Sequence, residues 1–114
     1  MVNIYDDINK LESTLRKTEE FKALKEAVEI VRGDEQSRKL FTNFRDIQMK
    51  LQEKQMRGEE LLEDEYMYLQ KTAQLAQQNP QILAMLEAEM AVGKMIEEIN
   101  SIIVKPIQTL YDGL

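Results

Sequence analysis

The sequence predicts an all-α protein, and three observations support that class: composition, hydrophobic spacing and helix-boundary residues. The 114 residues include only four glycines, two prolines and 6% aromatics. Sheets need turn residues together with β-branched and aromatic side chains, so this composition disfavours strands. Apolar residues recur at three- and four-residue steps along most of the chain, which is the period of an amphipathic helix. With 43% hydrophobic and 32% charged residues, we expect one folded domain, residues 1–114.

Two short helices are predicted in the first part of the chain. The first carries one apolar stripe from Ile4 to Leu15. Thr18 is suited to cap the second helix, because its hydroxyl can accept a bond from a free first-turn amide. Gly33 is suited to end that helix in the left-handed conformation.

The remaining helices begin and end at similar signals. Asp34 is a candidate N-cap for a long helix, about 35–57, that stops at Gly58. An acidic connector, residues 59–64, leads into a fourth helix from about Glu63 to Gln78. Asn79-Pro80 starts a second long helix, about 80–105, which we expect Pro106 to interrupt. The predicted architecture is an elongated helical bundle with two long helices and shorter helices, assembled as a dimer.

The last long helix is apolar over much more than half of its circumference. A surface helix needs a stripe of about 100° or a little more, so this helix must face several neighbours. We therefore predict a homodimer with this helix at the interface. The predicted interface residues are Ile82, Leu86, Met90, Gly93, Ile96, Ile99, Asn100 and Ile103. The alternative is that the other helices cover this surface within a monomer.

Two polar residues, Glu89 and Asn100, project into the same apolar arc, eleven residues apart. Polar groups in an apolar seam can determine register or oligomeric state. Alternatively, both lie at the edge of the seam and are hydrated. Glu89 fits the edge position better, and for Asn100 both interpretations stay open.

Four cations share one side of the first long helix: Lys39, Lys50, Lys54 and Arg57. This basic strip could follow the phosphates of an RNA or bind an acidic protein surface. The alternative, which we favour, is a solvated face whose cations could pair with the acidic connector of the same chain or of a second copy. Asp46 and Glu53 interrupt the strip, and no aromatic residues accompany it.

The residue inventory predicts no catalytic, cofactor-binding or metal site. Cysteine and histidine are absent, which removes thiolate ligands, a cysteine nucleophile and the commonest general base. The acidic connector lacks the calcium-loop pattern, and the glycines are too dispersed for a phosphate loop. Met49 and Met56 could line a partner groove, although methionines at helical spacing more often belong to a core.

The compartment is expected to be the cytoplasm, since the sequence shows no secretory signal, lipidation motif or apolar run of membrane-spanning length. The net charge of −6 gives no general attraction to nucleic acid or to an anionic membrane. The expected partners are a second copy and other cytoplasmic proteins, with no small-molecule substrate evident.

Three stretches resemble the YheA-like proteins of the YheA/YmcA/YlbF family: residues 43–60, residues 98–106 and the opening around Tyr5-Asp6 and Glu19-Glu20-Phe21. The resemblance spans essentially the whole chain and implies a small, cytoplasmic, all-helical and dimeric protein. The YmcA and YlbF branches are implicated in competence, sporulation and biofilm control, and in a complex that modulates messenger-RNA processing. Those relatives are linked to iron–sulfur clusters through cysteines, and this chain has none, so no cluster is expected.

The function predicted from these observations is that of a non-enzymatic helical interaction or regulatory protein, acting as a homodimeric adaptor. The alternative is an RNA-associated factor that modulates RNA processing through the basic strip. An enzyme is the third and least favoured class, because it would need a carboxylate–metal site.

Overall fold

The computed structural model describes residues 2–114, and this part of the chain contains five helices and no strand. The helices are α1 (Ile4–Leu15), α2 (Glu19–Gly33), α3 (Glu35–Met56), α4 (Glu63–Gln77) and α5 (Pro80–Leu110). The all-α prediction is confirmed, and α3 and α5 are the two long helices. The bounds of α3 agree with those predicted, whereas α5 is longer.

Three helices begin at the capping side chains that the sequence predicts. The backbone amide of Phe21 donates to Thr18 Oγ1 at 3.2 Å at the start of α2. The amide of Ser37 donates to Asp34 Oδ2 at 3.3 Å in α3, and the amide of Ile82 donates to Asn79 Oδ1 at 3.1 Å in α5. Each bond satisfies a first-turn amide that the helix itself leaves without a partner, which typically contributes about 1 kcal/mol.

Two predicted glycine stops have different outcomes. Gly58, which follows the C-cap Arg57 of α3, has a φ of +79°, the left-handed conformation that ends helices at low cost only for glycine. The left-handed conformation predicted for Gly33 is wrong, because Gly33 is the last helical residue of α2 and its φ is not positive. Asp34 makes the turn instead, with extended backbone angles of −108° and 113°.

The predicted interruption at Pro106 is also wrong, since α5 continues through this residue to Leu110. Proline removes one helical hydrogen bond and its ring crowds the preceding turn. Here it lies in the last turns of the helix, where every side chain from residue 101 onward is exposed. Water can therefore reach the carbonyl that loses its partner. The helix spans 31 residues, or about 46 Å at 1.5 Å per residue.

The chain divides into two compact units, and α2 and α5 each contribute residues to both. The second unit, Lys25–Leu86, contains the packed pair α3 and α4. All seven buried residues of the described chain belong to this unit: Val31, Ser37, Leu51, Thr72, Ala76, Ile82 and Met85. The second unit therefore holds a small core of its own.

A polar network in the second unit joins the start of α3 to the start of α5. The fully buried hydroxyl of Ser37 donates to Asp34 Oδ2 at 2.5 Å and accepts from Asn79 Nδ2 at 2.9 Å. The same oxygen lies 2.8 Å from Gln81 Oε1. Because a hydroxyl has one hydrogen and two lone pairs, all three bonds are satisfied together when the Gln81 amide is turned over, so that its nitrogen donates to Ser37. One hydroxyl thus ties together the capping residues of two helices.

The first unit, residues 2–24 and 87–114, contains α1 and most of α5. None of its described residues is buried. Its better covered side chains are only half-buried, among them Leu15 and Phe21 in one stretch and Val92, Met95 and Ile99 in the other. The first unit therefore lacks a dry core within a single chain.

Candidate interaction surface

The predicted interface residues on α5 fall into three groups. Ile82 has 0% of its surface exposed and belongs to the core of the second unit. It is therefore not available to a partner, a correction to its place in the predicted interface. Leu86 and Ile99 are half-buried. The exposed members are Met90, Gly93, Ile96, Asn100 and Ile103.

Further apolar residues extend this exposed surface toward the end of α5. They are Ile102, Val104, Ile107, Leu110 and Tyr111. The predicted interface ended at Ile103, on a helix that was expected to end at about residue 105. The sequence already contains the pattern that indicates this extension, since Ile107 and Leu110 continue the helical spacing of Ile96 and Ile103.

A second uncovered apolar face lies on α1. Ile4, Ile8 and Leu11 share the predicted stripe, and all three are exposed. Tyr5, beside the stripe, is 74% exposed. Local contacts stabilise both ends of α1. Asn3 Oδ1 accepts a hydrogen bond from the amide of Asp6 at the start of the helix, and Arg16 pairs with Glu12 at its end. An amphipathic helix whose apolar face is open needs another surface to cover it.

The basic strip on α3 is partly neutralised by ion pairs. Lys39 Nζ lies 2.9 Å from Glu35 Oε1 on the same helix, and Lys54 Nζ lies 2.6 Å from Glu65 Oε1 on α4. Lys50 and Arg57 form no ion pair with any residue in the range 2–114. Two of the four cations that the RNA alternative needs are therefore engaged within the chain.

Glu65 is the centre of the contact between the end of α3 and the start of α4. Its Oε1 accepts from Lys54 Nζ at 2.6 Å and from the backbone amide of Leu62 at 2.8 Å. The hydrogen bond from Lys54, followed by that from Leu62, lowers the pKa of the Glu65 carboxyl. Leu62 has no side chain that could cap α4, so Glu65 supplies the capping contact from inside the helix.

The structure adds two observations about other kinds of site. Among residues 2–114, no three acidic side chains lie close enough together to hold a metal ion. None of the described helices has the length and apolar character needed to cross a bilayer.

Comparison with known proteins agrees with the resemblance seen in the sequence. Residues 4–108 match the family model described as control of competence regulator ComK, YlbF/YmcA. A UPF0342 protein of Lysinibacillus sphaericus is 61% identical over 114 residues, covering 100% of this chain and 99% of the relative. A UPF0342 protein of Staphylococcus aureus is 44% identical over 110 residues, covering 96% of each chain.

Two solved structures share the fold over nearly the whole chain. A protein of unknown function (DUF964) from Bacillus stearothermophilus is 39% identical, with a TM-score of 0.88 and 97% coverage of both chains. YheA from Bacillus subtilis is 37% identical, with a TM-score of 0.75, covering 96% of this chain and 100% of that one. The family match and these relatives confirm the predicted resemblance, and the chain belongs to the YlbF/YmcA (Com_YlbF) family.

Proposed function

We propose that this protein is a non-enzymatic regulatory protein of the cytoplasm that works as a homodimeric adaptor. The observation that carries the proposal is the uncovered apolar surface of the first unit. That unit exposes Ile103 at 63%, Ile107 at 57% and Leu110 at 78% of their surfaces, while none of its described residues is buried. A folded element with this much open apolar surface is expected to bind another protein surface.

The total accessible surface of the chain is larger than that of an average folded monomer of the same mass. The chain exposes 9507 Å², whereas a folded monomer of 13.4 kDa is expected to expose about 6,500 Å². The excess is about 3,000 Å². Permanent interfaces bury roughly 1,000 to 2,500 Å² on each partner. The excess is therefore large enough for an interface of the permanent class.

A second copy is the occupant that we propose for this surface. Most soluble oligomers are symmetric homo-oligomers, and two-fold dimers are the commonest of them. In such a dimer the open faces of α1 and α5 on both subunits can pack together into one helical core. This arrangement would give the first unit the dry interior that it lacks alone.

The regulatory part of the proposal is supported by the family and by the composition. The description of the matching family model names the control of a competence regulator. A protein can fulfil such a role by binding alone. The chain has no histidine and no cysteine, which removes the side chains that most enzymes use as base or as nucleophile.

A pair of charge substitutions tests the proposal. Ile103→Glu with Ile107→Glu places two carboxylates on the open face of α5, where a lone subunit tolerates them because both positions are exposed. The matched control is Met49→Glu with Met56→Glu, at two exposed apolar positions of α3. We expect the α5 variant to sediment as a helical monomer and the control to sediment as a dimer, like the wild type.

Two results would count against the proposal. One is a wild type that is already monomeric at micromolar concentration, and the other is an α5 variant that dimerises as strongly as the control. The RNA-associated alternative stays a prediction that rests on Lys50 and Arg57. A salt-dependent RNA shift that disappears in Lys50→Ala with Arg57→Ala would favour it.

A further inference from the structure

The open apolar surface of α5 contains one regular line of residues. Gly93, Ile96, Asn100, Ile103, Ile107 and Leu110 follow one another at alternating steps of three and four, and all six are exposed. An average step of 3.5 residues is the heptad spacing with which one helix contacts a second helix along its length. We call this set the open heptad line.

A neighbouring face of the same helix is already partly covered within the chain. Val92, Met95 and Ile99 are half-buried, and each precedes a residue of the open heptad line by one position. The helix therefore has two adjacent apolar faces, one half-buried and one open. This explains why α5 is apolar around more of its circumference than one contact requires.

Asn100 is the polar member of the open heptad line and lies near its middle. An amide that is removed from water without hydrogen-bond partners costs free energy, so a chemically unrelated apolar helix would be a poor occupant at this position. A second asparagine is a suitable occupant, because each amide offers both a donor and an acceptor. A single asparagine in an apolar seam is also a known determinant of register and oligomeric state.

We propose that the open heptad line pairs with the same line of a second copy, and that Asn100 contacts the partner's Asn100 at the two-fold axis. The proposal rests on the homodimer of the proposed function and specifies how the two subunits are aligned. Gly93 leaves room for a close approach, since it has no side chain and the space that a Cβ would occupy is open. Glu89, one step earlier, is exposed and charged, so the contact begins at Gly93.

The alignment follows from satisfying both amides at once. A slip of one subunit by one step of the line would place Asn100 opposite an isoleucine, Ile96 or Ile103. Both amides would then be buried without a partner. The register in which the two asparagines meet is therefore the favoured one, although replacing both by isoleucine would bury more apolar surface.

The first test uses the absence of cysteine from the natural chain. Asn100→Cys introduces a single thiol on the line, and Glu98→Cys introduces one on the opposite side of α5. A disulfide requires Cα atoms within about 7 Å. We expect mild oxidation to convert Asn100→Cys rapidly into a covalent dimer, while Glu98→Cys stays mainly uncrosslinked. Equal crosslinking of the two variants would overturn the alignment.

The second test changes charge without changing shape. Asn100→Asp would bring two carboxylates together at the axis, and we expect it to raise the dimer Kd by about tenfold or more. Gln108→Glu makes the same charge change at an exposed position of α5 off the line, and we expect it to change the Kd by less than about twofold. Equal effects of the two substitutions would contradict the contact.

The homodimer and the Asn100 contact can be disproved separately. A wild-type protein that sediments as a monomer defeats the proposed function and this inference together. A wild-type dimer in which Asn100→Cys crosslinks no better than Glu98→Cys retains the homodimer and defeats only the Asn100 contact.

Discussion

Truncation of two isoleucines on α5 distinguishes burial within one subunit from burial against a second copy. Ile82→Ala removes a side chain that is 0% exposed in the core of the second unit. Such truncations cost about 2–5 kcal/mol, because they lose the transfer free energy of the removed atoms and leave a cavity. This variant measures the loss in free energy of unfolding that is expected for a fully buried isoleucine on the same helix.

Ile103→Ala has a different expected cost in a monomer and in a dimer. In one subunit 63% of Ile103 is exposed, so only about a third of the full burial of an isoleucine is lost, less than about 1 kcal/mol. The better helix propensity of alanine offsets part of that loss, by a few tenths of a kcal/mol. If a second copy covers the exposed part, the loss rises to about 2 kcal/mol or more per subunit.

Urea unfolding followed by circular dichroism, at two protein concentrations a hundredfold apart, provides the assay. For a protein that folds as a dimer, the unfolding midpoint rises with protein concentration. We expect that dependence in the wild type, and a loss for Ile103→Ala comparable to that for Ile82→Ala. A midpoint that does not depend on concentration, with a negligible effect of Ile103→Ala, would show that no second copy covers Ile103.

Three further substitutions, the first with a matched control, test other parts of the structure. Ser37→Ala should lower the free energy of unfolding by about 1–3 kcal/mol, because it breaks the bond to the charged cap Asp34 and removes a partner from the half-buried Asn79. Thr72→Val is the control, because the Thr72 hydroxyl donates only to carbonyls of its own helix. It should lower the free energy of unfolding by less than Ser37→Ala does, and equal changes in Tm would contradict a stabilising role of the Ser37 network. Glu65→Gln should destabilise at neutral pH, with a difference that shrinks on acidification. The pKa of this carboxyl is lowered in the folded state, so its stabilisation is present above the ordinary glutamate pKa of about 4.3 and is lost as the pH falls through the lowered value. A stability difference between wild type and Glu65→Gln that grows toward acid pH would contradict this prediction. Pro106→Ala should raise the Tm, because the free energy of unfolding increases by up to about 3 kcal/mol when alanine replaces proline inside a helix. A lower Tm would show that this turn is not helical.

Helix starts were predictable from the sequence because capping is local. Thr18, Asp34 and Asn79 each need only an amide two or three residues ahead, and all three form the expected bond. The apolar stripe of α1 was likewise predictable from the three- and four-residue spacing of its apolar residues.

Helix ends were harder to predict, because proline and glycine act as statistical rather than strict signals. Pro106 remains inside α5 since its missing hydrogen bond falls in an exposed last part of the helix. Gly33 remains helical because Asp34 alone makes the turn. The consequence for the site was direct, since Ile107 and Leu110 were left outside the predicted interface.

Contacts between distant residues were only partly predictable. The pairing of Lys54 with Glu65 follows the alternative in which the basic strip is neutralised by nearby acids, although Glu65 lies one residue beyond the acidic connector. The link from Ser37 to Asn79, 42 residues apart, has no local signal. It depends on how the starts of α3 and α5 come together, which spacing within each helix does not specify.

The mass of the protein in solution is the most direct test of the central claim that a second copy covers the first unit. Sedimentation equilibrium of the wild type at micromolar concentration should give twice the chain mass of 13.4 kDa. The same mass as a single chain, at every concentration up to that range, would contradict the claim.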